Sequence, residues 1–258
     1  MGITLMEHNK DDSSMLNARQ SVLIYLLIIM EEIMSDIVDN TKVFKPVYRD
    51  AKRAHIPNFK NYKEMYDRSI KDPEGFWVEQ AKRLDWFEKW GKVSNNDFTK
   101  AQIKWFEGGK LNAAYNCLDR HVEAGHGNQT AIIWEGNDPA EDKSFSYSEL
   151  LTEVCKFANV LKSRGVNKGD RVCIYMQMIP ELAIAMLACS RIGAVHSIVF
   201  GAFSSDSLKD RINDCSCKVV ITQDTAIRGV KKNIPMKENV DRALDNTPSV
   251  ENVIVIKR

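Results

Sequence analysis

The densest chemistry in this 258-residue sequence is Arg228-Gly229-Val230-Lys231-Lys232, three cations around a glycine, followed by Ile234-Pro235-Met236-Lys237. Arginine offers a planar fork of donors and lysine a mobile point charge, so such a segment could hold a phosphate through charge-assisted hydrogen bonds. A solvated basic loop is the plainer reading. Taken alone it is the better one, because exposed cations are common and carry no specificity by themselves. A second place is Gly201-Ala202-Phe203-Ser204-Ser205-Asp206, a glycine turn into a serine-capped helix. It would let backbone approach a ligand closely, or it is an ordinary tight turn. His121 and His196 could each serve as a general base or a ligand, but neither has a visible partner. His196, between Val195 and Ser197, reads as a satisfied core histidine, and His121, after Leu118-Asp119-Arg120, as a residue that orders a loop.

Other chemistries are excluded by what is missing. There is no Gly-x-Ser-x-Gly elbow, no Gly-x-x-x-x-Gly-Lys-Ser/Thr loop and no metal signature, so neither a catalytic nor a metal-binding residue is assigned. Of six cysteines only Cys215-Ser216-Cys217 looks like a ligand pair, and no second pair or histidine completes it. Both read as small hydrophobes near a helix end. Scattered cysteines without a disulfide framework suit a reducing cytoplasm. With 36 Lys+Arg against 35 Asp+Glu the net charge is +1, which argues against nucleic acid or an anionic membrane as partner. The apolar run Val22 to Met30 falls far short of the ~20 residues a membrane helix needs, and Glu31-Glu32 follow it. An acidic, polar stretch before that run is no signal-peptide n-region.

The elements that must position these residues follow from periodicity. Residues 1–34 differ in character from the rest, and Met34 could itself be a start. Residues 35–127 form an irregular helical layer, with Trp77, Trp86, Trp90 and Trp105 on helical patches broken by Pro73, Gly75, Gly91 and Gly108-Gly109. Those tryptophans lie among Asp85, Glu88 and Glu107, which favours packing against a neighbouring domain over stacking on bases. From 128 the pattern becomes α/β. Ala131 to Trp134 is a strand, and Ser146 with Glu149 has capping-box spacing at the head of an amphipathic helix closed by Arg164-Gly165. Then come strand Arg171 to Met176 with helix Pro180 to Ile192, strand Val195 to Phe200 with helix Ser205 to Asp214, and strand Val219 to Thr222 with helix Met236 to Leu244. Strand Val253 to Ile256 is the last. Short apolar strands alternating with helices give a mostly parallel sheet with helices on both faces. Ligands of such sheets gather at the carboxyl ends of strands, here after Met176, Phe200 and Thr222. The last strand has no closing helix, as if the chain were cut mid-domain.

The wording of several stretches goes further than pattern. Phe76 to Trp86 (FWVEQAKRLDW), Trp105 to Asn112 (WFEGGKLN), Tyr115 to His121 (YNCLDRH) and Arg191 to Gly201 (RIGAVHSIVFG) resemble acetyl-CoA synthetases, AMP-forming acetate:CoA ligases of the adenylate-forming superfamily. The match runs in order from about Val43 to the final residue. The resemblance implies the large N-terminal domain of those enzymes, with 35–127 as their N-terminal helical region and 128–258 as the first part of the AMP-binding α/β domain. It implies acetate, ATP with Mg²⁺, and CoA as ligands of the complete enzyme.

By the same resemblance, Arg228, Gly229, Val230, Lys231 and Lys232 match the loop that holds the phosphorylated nucleotide end of CoA. Gly201 matches the glycine turn beside the CoA tunnel. The family often has a second arginine where Lys231 stands, and this chain carries one extra residue before Ile234, so Lys231 and Lys232 are both named. The family's ATP-phosphate loop, acetate pocket, ribose-binding aspartate and adenylation lysine lie beyond Arg258. The resemblance therefore points to an N-terminal portion of the enzyme, active when completed by a downstream polypeptide. The alternatives are a non-catalytic CoA-binding or interaction module, and an inactive remnant.

Overall fold

The computed structural model describes residues 53–258. The expected extension 1–34, its apolar run and the start of the resemblance at Val43 lie outside the described residues. The chain divides into two compact units between Asp67 and Arg68. Helix α1 (Phe59–Lys71) starts in the first and runs across that division; it begins with Phe59, Tyr62 and Tyr66 exposed along one side, their rings 6.1 and 6.2 Å apart, and the i,i+4 pair Lys63–Asp67 at 2.8 Å. None of its residues is buried.

After the end of α1 the second unit continues with α2 (Pro73–Ala81). Pro73 sits at the first helical position, and the Asp72 carboxylate caps the helix by accepting from the Gly75 N–H at 3.0 Å. Gly75 therefore does not break the helix as expected. It belongs to the first turn, where a Cβ would stand 2.2 Å from Asp72 Oδ2. The short antiparallel pair β1 (Lys92–Ser94) and β2 (Trp105–Glu107) follows, then two π-helical turns, Tyr115–Asp119 and Val122–His126. The tryptophans pack chiefly on one another: Trp86 on Trp90 at 4.8 Å, Trp90 on Phe106 at 5.0 Å and Trp77 on Trp105 at 5.8 Å.

The antiparallel hairpin β3 (Thr130–Trp134) and β4 (Lys143–Ser146) leads into α3 (Tyr147–Ser163), headed by the expected capping box: Ser146 accepts from the Glu149 N–H while the Glu149 carboxylate accepts from the Ser146 N–H. Gly165 at φ 77° ends it in the left-handed region. Strands β5 (Arg171–Met176), β6 (Val195–Phe200), β7 (Val219–Gln223) and β10 (Asn252–Ile256) form one parallel sheet in the order β10-β7-β5-β6. They are joined by α4 (Pro180–Ile192), α5 (Ser205–Asp214) and α6 (Met236–Leu244).

Alternate residues of the two central strands feed two cores. Val172, Ile174, Met176, Val219 and Ile221 pack with α3 and α4, whereas Cys173, Tyr175 and Val220 pack with α5 and α6. The edge strand β6 departs from the expected burial on both faces. Val195, Ile198 and Phe200 are about half exposed, and His196 there is half-buried rather than a core residue. Among the described residues no helix is long and apolar enough to cross a membrane.

Candidate functional site

The strand order places a topological switch between β5 and β7. The chain leaves β5 toward β6 and leaves β7 toward β10, so the helices that follow cover opposite faces and a crevice opens at the carboxyl ends. A cleft of about 660 Å³ lies there. Each of the three expected loops contributes to its wall: Gln177 and Met178 after β5, Gly201 to Phe203 after β6, and Ala226 to Arg228 after β7, with Trp134 to Asn137 closing one side.

Residues 226–234, expected as a loop, form a second hairpin. Strands β8 (Ala226–Arg228) and β9 (Lys231–Ile234) pair antiparallel around the two-residue turn Gly229-Val230. Gly229 has φ 57° while Val230 does not have a positive φ, the pattern of a II′ turn that glycine at the first position makes accessible. Periodicity did not mark it, since Ala226 and Ile227 are adjacent apolar residues and Lys231, Lys232 and Asn233 three adjacent polar ones, so nothing alternates along the run. Arg228 pairs directly with Lys231 across the ribbon. Residues paired in this way share a face, and the adjacent Lys232 takes the opposite one. One more residue stands on β9 than on β8 between the paired positions, with Asn233 at φ 60°, which makes a β-bulge before Ile234.

The structure thus brings Gly201 and Arg228, 27 positions apart in sequence, to one cleft, with Lys231 on the face of Arg228. Val230 stands at the ribbon tip, 97% exposed and away from the cleft wall. Arg228, Lys231 and Lys232 are exposed, and among the described residues no carboxylate lies within ion-pair distance of them. Gly201 sits where a Cβ would be 3.2 Å from both the Met176 carbonyl oxygen and Met236 Cε, so its lack of a side chain lets the turn settle on β5. The fully buried Tyr175 hydroxyl donates toward the carbonyl oxygens of Phe203 at 2.8 Å and Gly201 at 3.1 Å, fastening that turn from below. Burial raises the Tyr175 phenol above its usual range.

Sequence reasoning missed the amides of the site. The Gln177 side chain donates from Nε2 to the Ile227 carbonyl at 2.6 Å and accepts at Oε1 from the Ile227 N–H at 2.9 Å. Its backbone N–H donates to Oε1 of the buried Gln223 at 2.8 Å. Asn137 does the same for Gly229, donating to its carbonyl and accepting from its N–H, both at 3.0 Å. A polar residue at the end of each apolar central strand was the available signal for Gln177 and Gln223; nothing local marked Asn137. Arg258 bonds Gln177 Oε1 at 3.1 Å and Glu141 at 3.0 Å, and the Arg258 N–H heads the donors that hold the Asp224 carboxyl below its ordinary range.

The other candidates lie elsewhere. His121 packs its ring on Tyr147 at 4.9 Å. Cys215 and Cys217 end α5 with their sulfurs 3.0 Å apart, and burial first pushes the Cys215 thiol up to about 11. Among the described residues no cluster of three His, Cys, Asp or Glu could hold a metal ion.

Comparison with known proteins agrees with this architecture. The family model described as AMP-binding enzyme matches residues 118–258, and that described as acetyl-coenzyme A synthetase N-terminus matches residues 62–117. The chain is 55% identical over 222 residues to the acetyl-coenzyme A synthetase of Alkalilimnicola ehrlichii, covering 86% of this chain and 34% of that protein. It is 56% identical to those of Halorhodospira halophila, over 86% of this chain and 34% of the relative, and Magnetococcus marinus, over 87% and 34%. The chain therefore spans about a third of the length of the curated relatives it matches.

Proposed function

This chain belongs to the AMP-binding enzyme family, and from that premise we propose that it forms the CoA-facing portion of an AMP-forming acetate–CoA ligase. In that reaction acetate and ATP give an acetyl-adenylate and pyrophosphate, and CoA then displaces AMP. The observation that carries the proposal is the convergence of Gly201 and the exposed Arg228, which no carboxylate among the described residues counters, on one cleft at the switch point of the sheet. The residues fit a phosphorylated nucleotide. Arg228 supplies a bidentate fork and Lys231, on the same ribbon face, a second positive charge that no carboxylate among the described residues satisfies. The apolar wall of Met178, Phe200 and Phe203 would accept the less polar length of CoA, and the close-packed Gly201 turn keeps the mouth of the cleft clear. ATP, Mg²⁺ and acetate are assigned to the part of the relatives that this chain does not span, and no residue here is given a role with them.

Cytoplasm is the proposed location, where the six cysteines, all free thiols, persist in that state. Calorimetric titration of the chain with CoA and with CoA lacking its 3′-phosphate tests the proposal. CoA binds more tightly than the dephosphorylated form, and Arg228→Ala removes about 1–3 kcal/mol from CoA binding alone. Equal affinities for the two ligands, or an Arg228→Ala chain that binds CoA as the native one does, would refute it.

A further inference from the structure

Strand β8 has one edge paired with β9 through residues 226 and 228. Its other edge presents the backbone groups of Ile227, continued by those of Gly229 in the turn, and among the described residues no strand covers them. Two side-chain amides take the place of that strand. Gln177, from the end of β5, exchanges two hydrogen bonds with Ile227, and Asn137, from the β3–β4 connection, exchanges two with Gly229. Each amide donates to a carbonyl and accepts from the N–H of the same residue, as a paired residue in an antiparallel ladder does. The two clamped residues flank Arg228 in sequence.

Both clamps are themselves anchored. Gln177 is fixed by Gln223 and Arg258, and Arg258 also grips Glu141 in the same connection as Asn137. The Trp134 indole N–H, just before that connection, donates to the Met178 carbonyl at 2.7 Å. Only an amide can complete such a clamp. A carboxylate would set an oxygen against the Gly229 carbonyl, and an aliphatic side chain would offer neither group.

We propose that Asn137 and Gln177 are positioning residues for phosphate recognition: by pairing with Gly229 and Ile227 they hold the backbone on both sides of Arg228, so its guanidinium meets the phosphorylated end of CoA already oriented. This rests on the function proposed above. A flexible Arg228 would have to be ordered on binding, and that entropy would be drawn from the affinity.

The experiment uses the whole chain and four forms of it: native, Asn137→Ala, Arg228→Ala and the double variant, with Asn137→Asp as a second substitution. Affinities for CoA and for 3′-dephospho-CoA are measured by calorimetry, and hydrogen exchange is followed in the peptide covering 226–234. Asn137→Ala weakens CoA by about five- to tenfold, leaves dephospho-CoA unchanged and speeds exchange in the ribbon. The double variant binds CoA no more weakly than Arg228→Ala, because a mispositioned arginine and a missing one are the same loss. Asn137→Asp behaves like Asn137→Ala or worse. Additive losses would mean that Asn137 acts independently of Arg228, and unaltered exchange in Asn137→Ala with CoA binding intact would mean that the clamp holds nothing; either result overturns the inference alone. Failure of the native chain to bind CoA, or equal binding of CoA and dephospho-CoA by it, sinks the functional reading and the inference together.

Discussion

Removing one oxygen from Tyr175 tests how the cleft is built. The hydroxyl is fully buried, donates toward Phe203 O at 2.8 Å and Gly201 O at 3.1 Å, and accepts from Asn239 Nδ2 at 3.4 Å. In Tyr175→Phe the ring keeps its packing among Leu208, Ile212, Val220 and Met236, so no cavity opens and the loss is polar. One net hydrogen bond is worth about 1 kcal/mol, and a carbonyl left without a donor adds roughly as much, giving about 2 kcal/mol. In urea, with a slope of about 2–3 kcal/mol per molar, the unfolding midpoint falls by about 0.7–1 M at constant slope.

The difference between the two proteins also depends on pH. Because burial raises the folded-state phenol pKa, the stability it contributes is fully present below the unfolded value near 10 and is lost as pH rises through the higher folded value. The advantage of the native protein over Tyr175→Phe is therefore constant from pH 7 to 9 and shrinks above pH 10. Urea unfolding followed by tryptophan fluorescence at pH 7, 9 and 10.5 measures both effects. A midpoint unchanged by the substitution would show that water reaches these carbonyls, refuting the view that Tyr175 fastens the Gly201 turn.

Lys231→Ala should weaken CoA binding by roughly three- to tenfold while Lys232→Ala leaves it unchanged, since only Lys231 shares the ribbon face with Arg228; calorimetry that finds the reverse would place the ribbon in the other register. Arg191 meets Asp119 with two parallel bonds of 2.7 and 2.9 Å, joining α4 to the π-helical turn before α3. Arg191→Lys keeps the charge but not the fork, and should cost about 1 kcal/mol in urea unfolding. At pH 8 iodoacetamide should modify the exposed Cys117 well before Cys215. With a thiol near 11, only about one Cys215 in a thousand is ionised at that pH, and its labelling should accelerate about tenfold per pH unit up to pH 10. Mass spectrometry of the alkylated peptides reads both rates.

Much of the architecture was legible because it is local. Helices 180–192, 205–214 and 236–244 and strands 171–176 and 195–200 have the boundaries that periodicity and caps imply, and strand 219–223 runs one residue past its expected end. Gly165 and the Ser146–Glu149 box end and begin α3 through contacts within four residues. The clamps on the ribbon at 226–234 were not legible, since they come from Gln177 and Asn137, 50 and 92 positions away. Gly75 was misread because a glycine suggests a break, whereas the Asp72 cap uses its N–H inside the first turn.

Of the candidate site, the sequence by itself determined the ingredients: a glycine turn after one strand, a basic glycine-containing segment after another, and wording that resembles acetyl-CoA synthetases. Residue type and short-range spacing suffice for these, because turns, caps and apolar periodicity are settled by neighbours along the chain. Only the tertiary structure decided that Gly201 and Arg228 share a cleft, that Lys231 rather than Lys232 accompanies Arg228, and that two distant amides clamp the ribbon. Those depend on strand order and on register, in which a shift of a single residue turns a side chain to the opposite face.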